Sequence, residues 1–517
     1  MADEHGVEPG RLRRPSPGEL VELGAREHLD LSDADARELQ VPIDGLLGAL
    51  EGLLALDGPR LPPSPFTERD PGRPPADGED RWNAFARFCD IRGADSGPLL
   101  GKSVGLKDNI DVAGVPTSNA SATAPFTPAR DAVVVERILS AGGRITGKLN
   151  MDDFGAGASG ETSALGPPLN PRDRTRSPGG SSGGSGSAVA SGAVDLALGV
   201  DQAGSARIPA SFCGVVAIKA THGLVPSQGV THLDHTIDSV CPMGATVSEA
   251  ALLLEAVAGD DWRDPQWVRG AVPPAWRRAS GDGIAAMRVG VVRESVDPDL
   301  CSDAVVRNLW TAADGLREAG AEVTELSIPM WPSGLPLAQT LLCHLVGAMI
   351  RSEGVGYGHM GLVDVERAHA FAVARREQSE LLPFYMKVWM LTERFLHDEY
   401  LNRTHGVLHN LRLRLRDEID SSLREVDLLL TPTTPDTAPP LLDEEVGSGI
   451  SARILRSLPY NTAPLNLSGH PVLALPSGND ELGLPTSVQL VGRWFGEEAI
   501  VRAGNVVEAS VQDPASA

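Results

Sequence analysis

Hydrophobic residues in the first 56 positions recur with the period of an α-helix. Two segments, Ser16-Pro-Gly-Glu19 and Ser32-Asp-Ala-Asp35, place an acid three residues after a serine. This spacing is typical of a helix N-terminus, and proline stands at the tolerated first position of the first helix. The pattern predicts helices with one apolar face that needs a partner. The apolar positions of that face are Ile43, Leu46, Leu47, Leu50, Leu53 and Leu54.

A stretch rich in proline and charge follows from residue 57 to residue 80. Because proline fixes φ and lacks an amide hydrogen, we expect a linker or a wrapped arm there. The predicted organisation is an N-terminal helical extension with its linker over residues 1–80, followed by a main domain over residues 81–517.

From residue 81 onward, short β-rich runs alternate with helical ones. Such alternation favours an α/β fold in which helices cover both faces of a large, mostly parallel sheet, although it does not give the strand order. No repeat of fixed period is present. The predicted strands are 103–106, 144–147, 196–200, 214–218, 287–292, 472–475 and 486–491, and the predicted helices include 132–139 and 303–319.

Composition narrows the class of protein. The formal net charge of −24 disfavours binding to nucleic-acid phosphates or to an anionic membrane surface. The five cysteines are scattered and form no Cys-x-x-Cys pair, so we expect buried reduced thiols rather than disulfides or a zinc site. The N-terminus lacks an apolar signal core, and no apolar run approaches about 18 residues. The expected location is the cytoplasm.

The candidate chemistry lies in one lysine and two serines. Only five of the 45 basic residues are lysines, and Lys107 is one of them. Arginine keeps its proton in a protein, whereas a desolvated lysine can act as a base. Ser181 and Ser205 each stand in a separate glycine-rich stretch, where backbone N–H groups can be exposed beside a hydroxyl. A base, a nucleophile and oxyanion donors are the requirements of acyl transfer.

Two glycine motifs have competing interpretations. Residues 180–184 match the G-x-S-x-G elbow of lipases around Ser182, but no strand precedes them. Residues 155–160 match the dinucleotide fingerprint G-x-G-x-x-G, but they follow no buried strand, so a close-packed loop lining a cleft is favoured. The Gly/Ser tract at 179–187 also has a plain alternative as a flexible linker.

Two histidine pairs suggest metal ligands only superficially. His405 and His409 are four residues apart, but the glutamate of zinc proteases is absent between them. His232 and His235 have no cysteine or carboxylate cluster nearby in the sequence. Surface or hydrogen-bonded core histidines are the favoured interpretation, and no metal is expected.

From about residue 81 to the C-terminus, the chain resembles the amidase signature family of serine hydrolases. Within that family it looks most similar to the nitrile-hydratase-associated bacterial amidases, through its helical extension, Asp201-Gln202, Thr236-Ile-Asp238 and Gly354-Val-Gly-Tyr-Gly358. The family motifs are found in Leu106-Lys-Asp-Asn109, Lys148-Leu-Asn-Met-Asp-Asp-Phe154, the Gly/Ser tract, residues 201–207, Phe212-Cys-Gly-Val215, Gly223-Leu-Val-Pro226, Leu430-Thr-Pro-Thr433, Asn461-Thr-Ala-Pro464, Ser468-Gly-His-Pro471, Gly483-Leu-Pro485 and Gln489-Leu-Val-Gly492.

The resemblance implies a Ser-Ser-Lys triad with Lys107 as base, Ser181 as bridging serine and Ser205 as nucleophile. It also implies a cis peptide bond between Gly180 and Ser181, a substrate-binding role for Gly155, and no cofactor. The implied oxyanion donors are the backbone N–H groups of Gln202, Ala203, Gly204 and Ser205.

Three alanines depart from the family pattern. Ala203 replaces a usual glycine, Ala206 a usual isoleucine or valine, and Ala220 a usual proline. A Cβ at position 203 would restrict the loop if the loop needs a positive φ there. The activity or the substrate range is the property that this change would affect.

The expected function is hydrolysis of a small carboxamide to a carboxylic acid and ammonia by way of an acyl-enzyme. The alternatives are acyl transfer to an amine, action as the amidase subunit of a tRNA amidotransferase, or a catalytically weakened relative. The expected partners are a small amide and a second copy of the chain, without nucleic acid or membrane. The acyl group is not predicted, although Tyr357 and Trp389 are candidate pocket walls by analogy with the family.

Overall fold

The computed structural model describes residues 12–56, 58–59, 61, 63–268, 283–356, 358–442 and 458–512. The chain divides into two compact units, residues 1–65 and residues 66–517. The proline-rich arm from residue 66 to residue 80 therefore belongs to the larger unit. There Arg73 pairs with Phe88 in an isolated antiparallel bridge.

The smaller unit contains helices α1 (Pro17–Arg26) and α2 (Asp33–Leu54), which pack against each other. Each helix begins with the predicted capping box. The Ser16 or Ser32 hydroxyl accepts the backbone N–H of the acidic residue three positions later, and the carboxylate of that residue accepts the backbone N–H of the serine. The apolar face of α2 remains largely exposed, with Leu46 at 72% and Leu53 at 61%.

The larger unit is built on one sheet of eleven strands, with the order β1-β3-β2-β4-β6-β5-β10-β11-β9-β7-β8. The strands are β1 Phe85–Arg92, β2 Ser103–Lys107, β3 Arg144–Leu149, β4 Leu196–Asp201, β5 Val216–Lys219, β6 Ser239–Gly244, β7 Arg288–Val292, β8 Glu322–Leu326, β9 Leu428–Pro432, β10 Val472–Asn479 and β11 Pro485–Val491.

Helices and apolar side chains cover both faces of this sheet. The described helices are α3 Val133–Ser140, α4 Gly183–Ala190, α5 Arg207–Cys213, α6 Val247–Val257, α7 Asp303–Glu318, α8 Gly334–Arg351, α9 Val365–Glu377, α10 Phe384–Tyr400, α11 Arg403–Glu425, α12 Ala463–Ser468 and α13 Glu497–Gln512.

The predicted α/β class with a large sheet between helices is confirmed. The sheet is mixed, and the expectation that it is mostly parallel is wrong. Four of the ten described strand pairings are parallel, namely β2 with β3, β2 with β4, β7 with β8, and β7 with β9. The other six are antiparallel, and two of these, β5 with β6 and β10 with β11, join strands that are consecutive in the chain.

One apolar stretch, Trp331–Arg351, is long and apolar enough to span a membrane among the described residues. Its most apolar window is 78% buried inside the fold. The segment, which includes α8, therefore serves as a core helix of the larger unit.

Candidate active site

Lys107 is the last residue of β2, between β3 and β4 in the sheet. Its Nζ atom lies 2.7 Å from Ser181 Oγ and 3.2 Å from the carbonyl oxygen of Val200. The side chain is fully buried, and this burial lowers the pKa of Lys107 to about 8. Roughly a tenth of the amine is therefore neutral at pH 7 and about half at pH 8, so a neutral general base is accessible.

Ser181 lies in the loop that leads into α4, and its peptide bond with Gly180 is cis. Ser182 connects this loop to the other glycine-rich stretch, because its backbone N–H donates to the carbonyl oxygen of Ser205 at 2.9 Å. The Ser182 hydroxyl instead bonds to the backbone of Val200. Ser181, and not Ser182, is thus the serine of this tract that meets the lysine.

Ser205 lies in the loop between β4 and α5, and this loop is wrapped around the carboxylate of Asp201. The N–H of Gly204 donates to Asp201 Oδ1 at 2.8 Å, and those of Ala206 and Arg207 donate to Asp201 Oδ2 at 3.2 and 3.3 Å. Ser205 is itself buried, at 6% exposure. The loop shape is therefore set by a carboxylate within the loop.

The hydrogen bonds of this loop distinguish between the predicted oxyanion donors. The Gly204 N–H is already taken by Asp201, so the oxyanion role predicted for it does not fit this geometry. The N–H groups of Gln202, Ala203 and Ser205 make no hydrogen bond within the described part of the chain. These three remain available to a substrate oxygen.

The two positions before the candidate nucleophile differ in backbone conformation. Gly204 has a φ of +127°, and a Cβ there would collide with Thr462 Oγ1. Ala203 has no positive φ. The loop therefore needs glycine at position 204 and accepts a side chain at position 203, because a Cβ is disfavoured only where φ is positive.

Arg207 fixes the far side of the same loop from a fully buried position. Its guanidinium forms an ion pair with Asp201 at 3.0 Å and donates to Gln489 Oε1 at 2.7 Å and Asn466 Oδ1 at 2.5 Å. The Arg207 guanidinium and further hydrogen bonds hold the pKa of Asp201 well below its usual range, against the opposing effect of burial. Asp201 is thus an anion that organises backbone rather than a proton donor.

Gly155 lies beside the bridging serine at the end of a short 3₁₀ turn, Asp153–Gly155. A Cβ added to Gly155, where φ is +72°, would lie 3.5 Å from Ser181 Oγ. The preceding residue, Phe154, lines a cavity of about 120 Å³. The Asp153–Gly155 turn therefore lies close to Ser181 and also contributes Phe154 to the wall of this cavity.

The cavity is lined by apolar side chains and a similar number of polar ones, and four of its lining residues are charged, namely Asp111, Glu353, Asp364 and Arg367. The Arg367 guanidinium forms an ion pair with the buried Asp111 carboxylate, and its Nε atom has no hydrogen-bond partner among the described residues. Burial lowers the pKa of Arg367 to about 10. Neither residue was singled out in the sequence, because only the fold brings α9 to the segment after β2.

The histidine motifs do not form a metal site. His232 contacts Asp238 Oδ2 at 3.3 Å and the Ser227 carbonyl oxygen at 3.1 Å, while His235 contacts the Val355 carbonyl oxygen at 3.0 Å. Within the residues that the structure covers, no group of three histidine, cysteine or acidic side chains could hold a metal ion.

Of the two candidate pocket walls, only Trp389 lies within the described residues. Tyr357 lies outside the described residues. Trp389 packs against the apolar cluster around α8 and is not among the residues that line the cavity.

A sequence model of the amidase family matches residues 82–501. The chain belongs to this family. It is 36% identical over 431 residues to one subunit of the glutamyl-tRNA(Gln) amidotransferase of Halobacterium salinarum, and the match covers 82% of this chain and 99% of the relative.

Solved structures of other proteins are also similar to this chain. The crystal structure of a glutamyl-tRNA(Gln) amidotransferase subunit from Thermotoga maritima matches with a TM-score of 0.67 and 28% identity, covering 83% of this chain and 88% of that one. A vestigial protein complex described as revealing the origins of an s-triazine catabolic enzyme matches with a TM-score of 0.68 and 28% identity, over 80% of this chain and 85% of that one.

These relatives correct the expectations about partners and subgroup. The predicted homodimer without a nucleic-acid partner is wrong, because the relatives are subunits of an enzyme that is named for a tRNA, and one similar structure is a protein complex. The relatives from two haloarchaea are amidotransferase subunits, and the similar solved structures include a peptide amidase from Stenotrophomonas maltophilia, with a TM-score of 0.66 and 27% identity over 80% of this chain and 84% of that one. The finer resemblance to nitrile-hydratase-associated amidases gains no support from them.

Proposed function

We propose that this chain is the amide-cleaving subunit of an amidotransferase. Lys107 acts as the base, Ser181 passes the proton and Ser205 is the nucleophile. The observation that carries the proposal is the 2.7 Å contact between the buried Lys107 amine and the Ser181 hydroxyl. The similarity to a glutamyl-tRNA(Gln) amidotransferase subunit over 82% of the chain supports transfer as the outcome.

In the proposed reaction, neutral Lys107 accepts the Ser181 proton while Ser181 accepts the proton of Ser205. Ser205 Oγ attacks the carbon of a primary carboxamide, and the oxygen that becomes negative is bound by the free N–H groups of the loop. The proton returns along the same path to the leaving nitrogen, so that ammonia departs. Water then releases the carboxylic acid from Ser205, and the ammonia serves an acceptor held by a partner protein.

The cavity beside the Asp153–Gly155 turn supports an amide donor that carries a carboxylate. The buried Arg367 guanidinium, with a free Nε donor, suits a carboxylate in a charge-assisted pair. The neighbouring Asp111 carboxylate suits an ammonium group. Glutamine has both charged groups and a side-chain carboxamide, so it is the proposed donor.

A second candidate is a hydrolase that acts alone, with water as the only acceptor. It is favoured by the unit of residues 1–65, which lies outside the matched region of 82–501. Cytoplasmic location is proposed for either function.

The test measures ammonia release from glutamine, asparagine, propionamide and benzamide, with the chain alone and with the proteins that co-purify with it. We expect glutamine to be preferred and Ser205→Ala to be inactive. Ser211→Ala is the matched control, because Ser211 is a buried serine of α5 whose hydroxyl bonds to Thr434 at 2.8 Å, away from the lysine.

Three results would contradict parts of the proposal. Full turnover by folded Ser205→Ala would exclude the nucleophile. Preference for benzamide by a chain that purifies without any partner would favour the stand-alone hydrolase. Absence of ammonia release from every amide, with and without the co-purifying proteins, would favour a catalytically weakened relative.

A further inference from the structure

Asp152 is a buried acid directly after β3, and the catalytic scheme above does not use it. Its Oδ1 atom accepts hydrogen bonds from the N–H and the hydroxyl of Thr162, at 3.0 and 2.7 Å. Its Oδ2 atom accepts the N–H of Gly160 at 3.1 Å. Three donors converge on a carboxylate without solvent exposure, so these hydrogen bonds offset part of the cost of burying its charge.

The glycines around Asp152 explain the G-x-G-x-x-G sequence without a nucleotide. A Cβ at Gly157 would lie 2.5 Å from Asp152 Cγ, and a Cβ at Gly180 would collide with Asp152 Oδ2. Gly160 supplies one of the donors. The glycine loop and the serine loop therefore close around one carboxylate.

Asp152 and Lys107 hold the same serine from two sides. The backbone N–H of Asp152 donates to the Ser181 carbonyl oxygen at 3.0 Å, while Lys107 Nζ contacts Ser181 Oγ at 2.7 Å. Among the described residues, no basic side chain lies within ion-pair distance of the Asp152 carboxylate. Its charge therefore acts on the lysine without a closer cation to neutralise it.

The other groups that act on the Lys107 charge are weaker candidates for balancing it. Asp201 is paired with Arg207 at 3.0 Å. Burial raises the pKa of Asp238 to about 7, so this carboxyl is mostly ionised near pH 8. Burial also raises the pKa of the Cys241 thiol, which is therefore neutral at that pH. Asp152 exerts the largest attraction on the Lys107 ammonium.

The charge of Asp152 itself is subject to opposing effects. Burial raises the pKa of Asp152 above its usual range, and the Thr162 and Gly160 donors and the Lys107 charge oppose this rise only in part. Its chain neighbour Asp153 has a pKa raised by burial to about 7, with the Asp152 charge contributing to that rise.

We propose that Asp152 is a positioning residue of the amide-cleaving reaction, whose carboxylate balances the ammonium that Lys107 becomes on taking the Ser181 proton. Its backbone N–H holds the Ser181 peptide in place for that transfer. This role rests on the proposed function of the same site.

The test follows the rate at which an alkyl fluorophosphonate labels Ser205 in the full-length protein between pH 6 and pH 10. In that reaction Ser205 Oγ bonds to phosphorus, fluoride leaves, and the serine proton passes through Ser181 to Lys107. The labelling rate of the wild-type protein should rise with pH with a midpoint near the Lys107 pKa of about 8. In Asp152→Asn the midpoint should fall by about 1 pH unit, because loss of a nearby negative charge makes Lys107 easier to deprotonate.

Thr162→Val is the matched control, since it removes a hydrogen bond from the carboxylate and keeps the charge. Its midpoint should stay at the wild-type value even if its maximal rate falls. Asp152→Ser provides a second neutral variant if the asparagine amide disturbs the loop.

Folded Asp152 variants with an unshifted midpoint would show that the acid only supports the fold, and would leave the proposed function standing. A folded wild-type protein that resists labelling at every pH would contradict the proposed function itself.

Discussion

Lys107 Nζ lies 2.7 Å from Ser181 Oγ, in a place where neither residue has any exposure to solvent. No carboxylate lies within ion-pair distance of this amine among the described residues; its other contact is the Val200 carbonyl oxygen. Desolvation of an ammonium without a directly bonded anion favours its neutral form. The Lys107 amine is therefore suited to act as a general base. Its hydrogen-bond partner is the Ser181 hydroxyl, which can pass a proton to it.

The first prediction concerns pH. The reaction needs neutral Lys107, whose pKa is lowered by burial to about 8. The value of kcat/KM should therefore rise with pH, reach half its maximum near pH 8, and level off above it. Ammonia release measured from pH 6 to pH 10 on a subsaturating amide checks this. A rate that is flat from pH 6 to pH 9 would contradict lysine as the base.

The second prediction compares two buried lysines. Lys107→Met should lower kcat/KM by about 10³-fold or more, because both proton transfers lose their acceptor. Lys219→Met should keep wild-type turnover, since within the described part of the chain Lys219 Nζ donates only to the Ala220 carbonyl oxygen, at 3.2 Å.

Lys219 is an apt control because it is equally buried and its pKa is likewise lowered by burial to about 8. Replacing such a buried cation by methionine should leave the melting temperature unchanged or raise it. Equal loss of activity in the two variants would indicate a general effect of removing buried charge, and not a specific base.

The third prediction concerns the loop before Ser205. Gly204→Ala should abolish Ser205 labelling, because the new Cβ meets Thr462 at a φ that L-residues disfavour. Ala203→Gly, which restores the residue usual in the family, should change turnover by less than about 3-fold, since position 203 needs no positive φ. Thermal melting of both variants separates unfolding from loss of chemistry. An active Gly204→Ala would contradict this account of the loop.

The fourth prediction tests the donor amide. Arg367→Met should raise KM for glutamine by about 10-fold or more, the typical effect of losing a charge-assisted hydrogen bond. It should leave kcat/KM for propionamide within about 2-fold, because that amide has no carboxylate to bind. Equal losses on the two substrates would point to a structural role for the Arg367 and Asp111 pair.

Local signals in the sequence predicted the parts of this molecule that depend on neighbours in the chain. The capping boxes at Ser16 and Ser32, the strands that flank Lys107, and the helices near residues 133–140 and 303–318 all lie where their patterns indicated. The glycine-rich stretches pointed to Ser181 and Ser205, and the scarcity of lysine pointed to Lys107. The catalytic roles of these three residues remain predictions.

Contacts between residues that are far apart in the chain could not be predicted from the sequence. Arg367 and Asp111 are more than 250 positions apart, and no local pattern marks either of them. The use of the Gly204 N–H by Asp201 depends on a loop conformation that composition does not encode. The mixed strand order is likewise a property of the packed sheet, since four of the ten pairings are parallel and six are antiparallel.

The order of strands has a consequence for how the protein is made. β5, at residues 216–219, pairs with β10 on one of its two edges. Arg207, two residues after the candidate nucleophile, donates a hydrogen bond to Gln489 of β11. A ribosome must therefore synthesise nearly the whole polypeptide before the middle of the sheet can close. Until then the nascent chain presents an open strand edge, so chaperones that shield such edges are expected to govern its yield in a foreign host.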